Sequence, residues 1–233
     1  SYALKDQYDT TAIHIDVNIV EAGNVVDIEK LKQWRPSEFD NAEFILDNGK
    51  LICGNEVGKM SKRWHNVVNP DDVCNDYGAD TLRLYEMFLG PLQDAKPWST
   101  QGIEGVLRFL RKFWRLFHNN PEENFFLSDE APDKAELKIL HKTIKKATED
   151  IENFSFNTSV SAFMVCVNEL QDLKCNKRII LEPLCIILSP YAPHIAEELW
   201  QQCGNNNSIS TAEWPVFNPE YLVENEFNYP ISF

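Results

Sequence analysis

The chain has no apolar run approaching the roughly 18 residues that a membrane span requires. Its longest candidate, Ile179 to Leu188, is broken by Glu182 and Pro183. Ser1 does not open a signal-peptide pattern, so a soluble protein with no membrane partner and a cytoplasmic location is expected. The six cysteines form no C-x-x-C pair and no tight cluster with histidine, which excludes the usual zinc patterns and a disulfide scaffold. Reduced thiols filling core space, and no metal ligands, are expected. Internal repeats and low-complexity tracts are absent. Disorder is excluded by a hydrophobic share of 43% with 12% aromatics.

Positive charge is also scarce. Lys and Arg number 22 against 36 Asp and Glu, a net charge of −14 that argues at first against a nucleic-acid partner. The distribution says more than the total. Residues 59–118 hold nine cations and seven acids, the only net-positive window, whereas residues 1–58 hold five and eleven.

The chain changes texture near residue 56. Before it, Ile13, Ile15, Val17 and Ile19 alternate with His14, Asp16 and Asn18, the period-2 pattern of a strand with one buried face. That pattern puts His14 on the solvent side. Asp27 is placed to cap a short helix running to about Trp34, stopped by Arg35-Pro36. Ala42–Leu46 and Leu51–Cys53 flank Asp47-Asn48-Gly49-Lys50, and Asn-Gly between apolar runs predicts a hairpin turn, since both central residues need positive φ.

Beyond residue 70 the texture is helical. Asn69-Pro70-Asp71-Asp72 is a compact helix start. Gly78 separates that helix from one reaching about Leu89. A long helix after Ser99-Thr100 carries Leu107, Leu110, Trp114 and Phe117 on one face. Others are predicted over about Asp133–Asn153 (stripe Leu137, Leu140, Ile144, Ala147, Ile151), from Asn157 (Val160, Phe163, Met164, Val167, Leu170), over Lys177–Leu188 and over Pro193–Cys203. The expected fold is therefore mainly α: an antiparallel helical bundle over 69–233, preceded by a small α/β unit over 1–55 and a mobile loop over 56–68. After Trp214-Pro215 the chain reads as irregular up to Phe233.

The chemistry concentrates in Gly54-Asn55-Glu56-Val57-Gly58-Lys59-Met60-Ser61-Lys62. Two lysines three apart, a hydroxyl between them and glycines upstream suit a mobile cationic clamp for phosphates. A Lys-x-x-Lys pair alone also fits an ordinary solvated surface. On the long helix, Arg108, Arg111, Lys112 and Arg115 stand at i, i+3, i+4 and i+7, which gathers four cations on one face. That face is either a solvated one paired with nearby acids or a phosphate track for RNA.

Lys59-Met60-Ser61-Lys62 resembles the first four residues of the KMSKS signature of class I aminoacyl-tRNA synthetases. Asn66-Val67-Val68-Asn69-Pro70-Asp71-Asp72, then Tyr77-Gly78-Ala79-Asp80-Thr81-Leu82-Arg83-Leu84, are similar to the segment those enzymes place after the loop. Glu86-Met87-Phe88-Leu89-Gly90-Pro91 points to the leucyl branch. Leu188-Ser189-Pro190-Tyr191-Ala192-Pro193-His194-Ile195-Ala196-Glu197-Glu198-Leu199-Trp200 and Trp214-Pro215 match the end of the helical anticodon-binding domain. Residues 1–55 resemble the leucine-specific insertion of bacterial-type members.

The resemblance implies a part of an enzyme that activates leucine with ATP and Mg²⁺ and transfers it to tRNA(Leu). Lys59 and Lys62 would be catalytic, with Lys59, Met60, Ser61 and Lys62 contacting ATP. Arg108, Arg111, Lys112 and Arg115 are the candidate tRNA contacts. Arg63 departs from the pattern, standing where a serine is usual, and Trp64-His65 replaces small or basic residues; Trp64 either packs or stacks on a base. Nothing matches the His-x-Gly-His motif, its nucleotide-binding fold or an editing domain, so these residues alone are expected to be inactive and to bind no cofactor. The alternatives are a relative specific for isoleucine, valine or methionine, and a non-catalytic acidic helical scaffold.

Overall fold

A computed structural model describes residues 2–7, 9, 11–119 and 124–223, and the chain divides into two compact units, Ser1–Asp72 and Val73–Phe233. The last stretch, from 224 to Phe233, part of the end expected to be irregular, lies outside the described residues.

The first unit is small and only lightly regular. Ile19, Val26 and Leu31 form its buried centre, with Ile15, Trp34, Phe39, Phe44, Leu51 and Cys53 packed around them. The strand expected over Ile13–Ile19 does not form. Ile15 and Ile19 do face inward, but Ile13 is 58% exposed, and residues 17–19 make a 3-10 turn instead. The reason is local competition: the Asp16 carboxylate accepts the Asn18 backbone N–H at 2.9 Å, and the Asp16 carbonyl accepts that of Ile19. His14 is exposed, as its parity predicts, although on irregular chain and not on a strand.

A two-residue pair comes next, β1 (Val20–Glu21) and β2 (Val25–Val26), antiparallel across a turn in which Gly23 and Asn24 both have positive φ. This hairpin has its own Gly-Asn signal, which the expectation above passes over. Helix α1 (Ile28–Trp34) has Asp27 as its cap, accepting from the Lys30 N–H at 3.0 Å. Arg35 breaks it, and Pro36 starts the one-turn α2 (Pro36–Phe39). The predicted Asn48-Gly49 turn is present, with φ of 48° and 78° and a reciprocal bridge between Asp47 and Lys50. Its flanks do not extend as a ladder, because Ile52 pairs with Val25 instead.

The second unit is a helical bundle. Helix α3 (Pro70–Tyr77) begins with the Asn69 side chain accepting the Asp71 N–H. Gly78, at φ 90°, turns the chain into α4 (Ala79–Phe88). Then come α5 (Thr100–Phe117), α6 (Lys134–Glu152), α7 (Phe156–Asp172), α8 (Arg178–Leu188) and α9 (Pro193–Gln202). A short antiparallel pair, β3 (His118–Asn119) and β4 (Asn124–Phe125), lies between α5 and α6. Helix α7 packs against α4, α5 and α6, and its Val160, Phe163, Cys166, Val167 and Leu170 are buried.

On α5 the predicted apolar face is displaced. The buried arc is Ile103, Val106, Phe109, Leu110, Phe113, Leu116 and Phe117, with Leu107 and Trp114 only half-buried at its edge. The helix packs on α4, α7 and α9, so the arc it hides is wider than one stripe and centred elsewhere. Gly102 sits where a Cβ would fall 2.8 Å from the Tyr85 ring, and the Tyr85 hydroxyl donates to the Ser99 carbonyl at 2.6 Å. These contacts fix the start of α5 against α4.

Two buried acids hold helix ends. Glu136 completes a capping box with Asp133 and accepts from the Lys177 ammonium at 2.7 Å, which raises the Lys177 pKa. Asp80, on α4, caps α9 from 114 positions away. Its two oxygens accept the His194 N–H at 3.2 Å, the Ile195 N–H at 2.7 Å and the His194 ring at 2.8 Å. Ala192 cannot cap α9 itself, so the donors depend on Asp80. Asp80→Ala should therefore destabilise the chain by about 2 kcal/mol in urea titration, with Asp80→Asn losing less. A loss under about 0.5 kcal/mol would contradict this role.

Candidate functional site

The loop after Cys53 is long and exposed. Residues 54–60 are all exposed, and none of their backbone groups makes a backbone hydrogen bond among the described residues. Lys59 and Lys62 point no ion pair or side-chain hydrogen bond at any described residue. Met60 is 45% exposed. Such a segment carries unpaired cations at little cost in water and is free to close on an anion.

The segment immediately after the lysines is anchored. Residues Lys62–Trp64 make a single 3-10 turn, ended by His65 in the left-handed region at φ 53°. The His65 carbonyl accepts the Val17 N–H at 3.0 Å. Its ring nitrogen Nε2 lies 3.1 Å from Arg35 Nη2, within reach of a hydrogen bond from the guanidinium. Trp34 meets the same ring edge-on at 5.0 Å, and the Arg35 guanidinium lies 4.1 Å from the Trp34 ring centroid.

Asn66 holds the loop itself. Its Oδ1 accepts the Ser61 N–H at 2.8 Å and its Nδ2 donates to the Lys59 carbonyl at 3.3 Å. The Ser61 hydroxyl is buried without a partner among the described residues. Sequence reasoning named Lys59, Met60, Ser61 and Lys62 but gave no role to His65 or Asn66. A histidine followed by asparagine directly after the turn was the available signal, since both tolerate unusual backbone and offer short-range hydrogen bonds.

Arg63 lies 5.3 Å from the Trp64 ring centroid, and Trp64 meets the His14 ring edge-on at 4.3 Å while remaining 41% exposed. Trp64 is thus packed within its own unit, and the loop is anchored through Asn66.

The second set of cations belongs to the other unit. Along α5, Arg108, Arg111 and Arg115 are exposed and Lys112 is half-buried. Arg108 pairs loosely with Glu104 at 3.8 Å, both well exposed, and Lys112 donates to the Asn168 side chain at 2.7 Å. Arg111 and Arg115 have no ion pair with a described residue. Arg111 also borders an open groove of about 420 Å³ lined with Tyr77, Leu107, Leu110, Trp114 and Ile195.

Among the described residues no group of three or more His, Cys, Asp or Glu could hold a metal ion. All six cysteines are free, and burial pushes the thiols of Cys166 and Cys175 up to about 12 and that of Cys203 to about 11. Such thiols are inert packing groups. No helix among the described residues is long and apolar enough to cross a membrane.

The family described as "Anticodon-binding domain of tRNA ligase" matches residues 133–232, and "tRNA synthetases class I (I, L, M and V)" matches residues 43–98. Helix α5 lies between the two matches. The leucine–tRNA ligase of Cytophaga hutchinsonii is 62% identical over 232 residues, spanning all of this chain and 25% of that protein. The leucine–tRNA ligase of Bacteroides thetaiotaomicron is 59% identical, again over the whole chain and 24% of the relative. The chain thus spans about a quarter of the length of these relatives. Among solved structures, the ternary complex of Agrobacterium radiobacter K84 agnB2 LeuRS, tRNA and LeuAMS superposes with a TM-score of 0.60 at 28% identity, covering 71% of this chain and 23% of that one.

Proposed function

Since this chain belongs to the leucine-specific class I aminoacyl-tRNA synthetases, we propose that it supplies the phosphate-clamping loop and the tRNA-contacting bundle of a cytoplasmic leucine–tRNA ligase. The observation that carries this is the pair of exposed ammonium groups of Lys59 and Lys62, without an ion pair among the described residues, on a loop whose far side is pinned by Asn66 and His65. In the reaction the carboxylate of leucine attacks the α-phosphorus of ATP, the bond to the β-phosphate oxygen breaks, and pyrophosphate departs with the electron pair. Negative charge builds on that leaving group. Lys59 and Lys62 meet it as the loop closes, and each well-placed donor contributes roughly 3–4 kcal/mol at the transition state. Mg²⁺, when bound, neutralises part of the same phosphate charge. Adenine and leucine are held by residues other than these 233. The leucyl group then passes from the adenylate to the terminal ribose of tRNA.

The bundle contributes through charge. A body of net −14 repels RNA at long range, so binding needs a local exception, and the face carrying Arg108, Arg111, Lys112 and Arg115 is one. Two of these cations are already engaged within the bundle, which leaves Arg111 and Arg115, without an ion pair among the described residues, as the phosphate ligands.

In the full-length enzyme, Lys62→Ala should slow ATP–pyrophosphate exchange by about 10²–10³-fold while the KM for leucine changes little, because the charge it meets develops in the transition state. A collapse of leucine affinity at an unchanged rate would refute the assignment. Arg111→Ala combined with Arg115→Ala should weaken tRNA binding and flatten the dependence of log K on log salt by up to about two units, with adenylate formation untouched. Unchanged tRNA affinity at low and moderate salt would return these arginines to an ordinary surface.

A further inference from the structure

We infer that Asn66 is a positioning residue whose side-chain amide sets the geometry of the two-lysine clamp. This rests on the reading of Lys59 and Lys62 as phosphate ligands. The amide takes the place of a neighbouring strand: its carbonyl oxygen accepts from Ser61 N–H at 2.8 Å and its NH₂ donates to the Lys59 carbonyl at 3.3 Å. The opposite amide orientation would set oxygen against carbonyl and NH₂ against N–H, so the two partners dictate which way it points. The bridge closes the chain from Lys59 to Asn66 into a ring that contains both lysines.

Nothing else among the described residues fixes Lys59. Residues 54–60 make no backbone hydrogen bond, and the neighbouring turn bonds reach back only to the Ser61 and Lys62 carbonyls, from Trp64 and His65 respectively. Without Asn66 the first lysine would be attached to the anchored part of the loop by unconstrained backbone alone. Asn66 is in turn tied down by its neighbour His65, whose carbonyl holds Val17 and whose ring holds Arg35. The amide touches neither ammonium group. It acts through the backbone that carries them, so its loss should appear in the step where the lysines meet developing charge and not in the steps before or after.

The test uses the full-length ligase with Asn66→Ala, Asn66→Asp, Lys62→Ala and the Lys62→Ala/Asn66→Ala pair. ATP–pyrophosphate exchange reads the clamp, and single-turnover transfer from preformed leucyl-adenylate to tRNA reads a step the clamp does not serve. Asn66→Ala is expected to lower the exchange rate constant about tenfold or more, with the KM for leucine within about twofold and the transfer rate unchanged. Asn66→Asp keeps the acceptor but sets an oxygen against the Lys59 carbonyl, so its rate should fall as well. In the Lys62→Ala background, Asn66→Ala should cost about threefold or less, since both changes damage one device. If Asn66→Ala slows exchange by the same factor in both backgrounds, or slows transfer equally, the residue merely supports the fold and the inference fails. If Lys62→Ala slows exchange while Asn66→Ala leaves it at the wild-type rate, the inference fails and the clamp stands. If Lys62→Ala itself changes nothing, the clamp reading falls and this inference with it.

Discussion

Burial of one helix organises the larger unit. Helix α7 hides Ser159, Val160, Phe163, Cys166, Val167 and Leu170, each at 1% exposure or less, among α4, α5 and α6. Fully burying an apolar side chain such as Val160, Phe163 or Leu170 contributes roughly 1.5–3 kcal/mol. No arrangement that leaves α7 at the surface could recover that. The other helices are consequently fixed in rotation, each with its apolar arc inward and most of its charges outward, the buried Asp80 and Glu136 being paired exceptions. Arg108, Arg111 and Arg115 on α5 face water because Phe113 and Phe117 on the opposite side do not.

The same constraint explains why charge and function separate. Charge is spread unevenly over the chain: the total is −14, yet Arg108, Arg111 and Arg115 gather on one exposed face of α5. In the smaller unit the lysines sit on backbone that makes few bonds, whereas the residues directly after them are tied to Val17, Arg35 and Trp34. A clamp needs both properties: a free end that can close and a fixed end to close from.

Much of this was legible in the sequence, for physical reasons that differ between elements. The helices from Pro70 onward announce themselves through caps and period, as at Asn69-Pro70 and Asp133 with Glu136. The stretch Ile13–Ile19 misled because alternation is necessary for a half-buried strand but not sufficient. It needs a partner strand, and the Asp16 side chain offered the backbone a nearer bond. The face of α5 was displaced because three neighbours, not one, define what is hidden there. Asp80 capping α9 was invisible, since nothing local couples residue 80 to residue 194. In the loop, the residues that carry charge were readable from type and spacing. Those that hold it, His65 and Asn66, act through backbone geometry that spacing does not encode.

The proposed role of the loop stands or falls with closure of Lys59 and Lys62 on the phosphates of ATP. Hydrogen exchange of the amides of residues 54–62 in the full-length enzyme, with Mg²⁺ and either ATP or adenosine and without leucine, tests it most directly. Markedly slower exchange with ATP and no slowing with adenosine are expected, because only the triphosphate meets the lysines. Equal exchange in the presence and absence of ATP, or equal protection by adenosine, would contradict it.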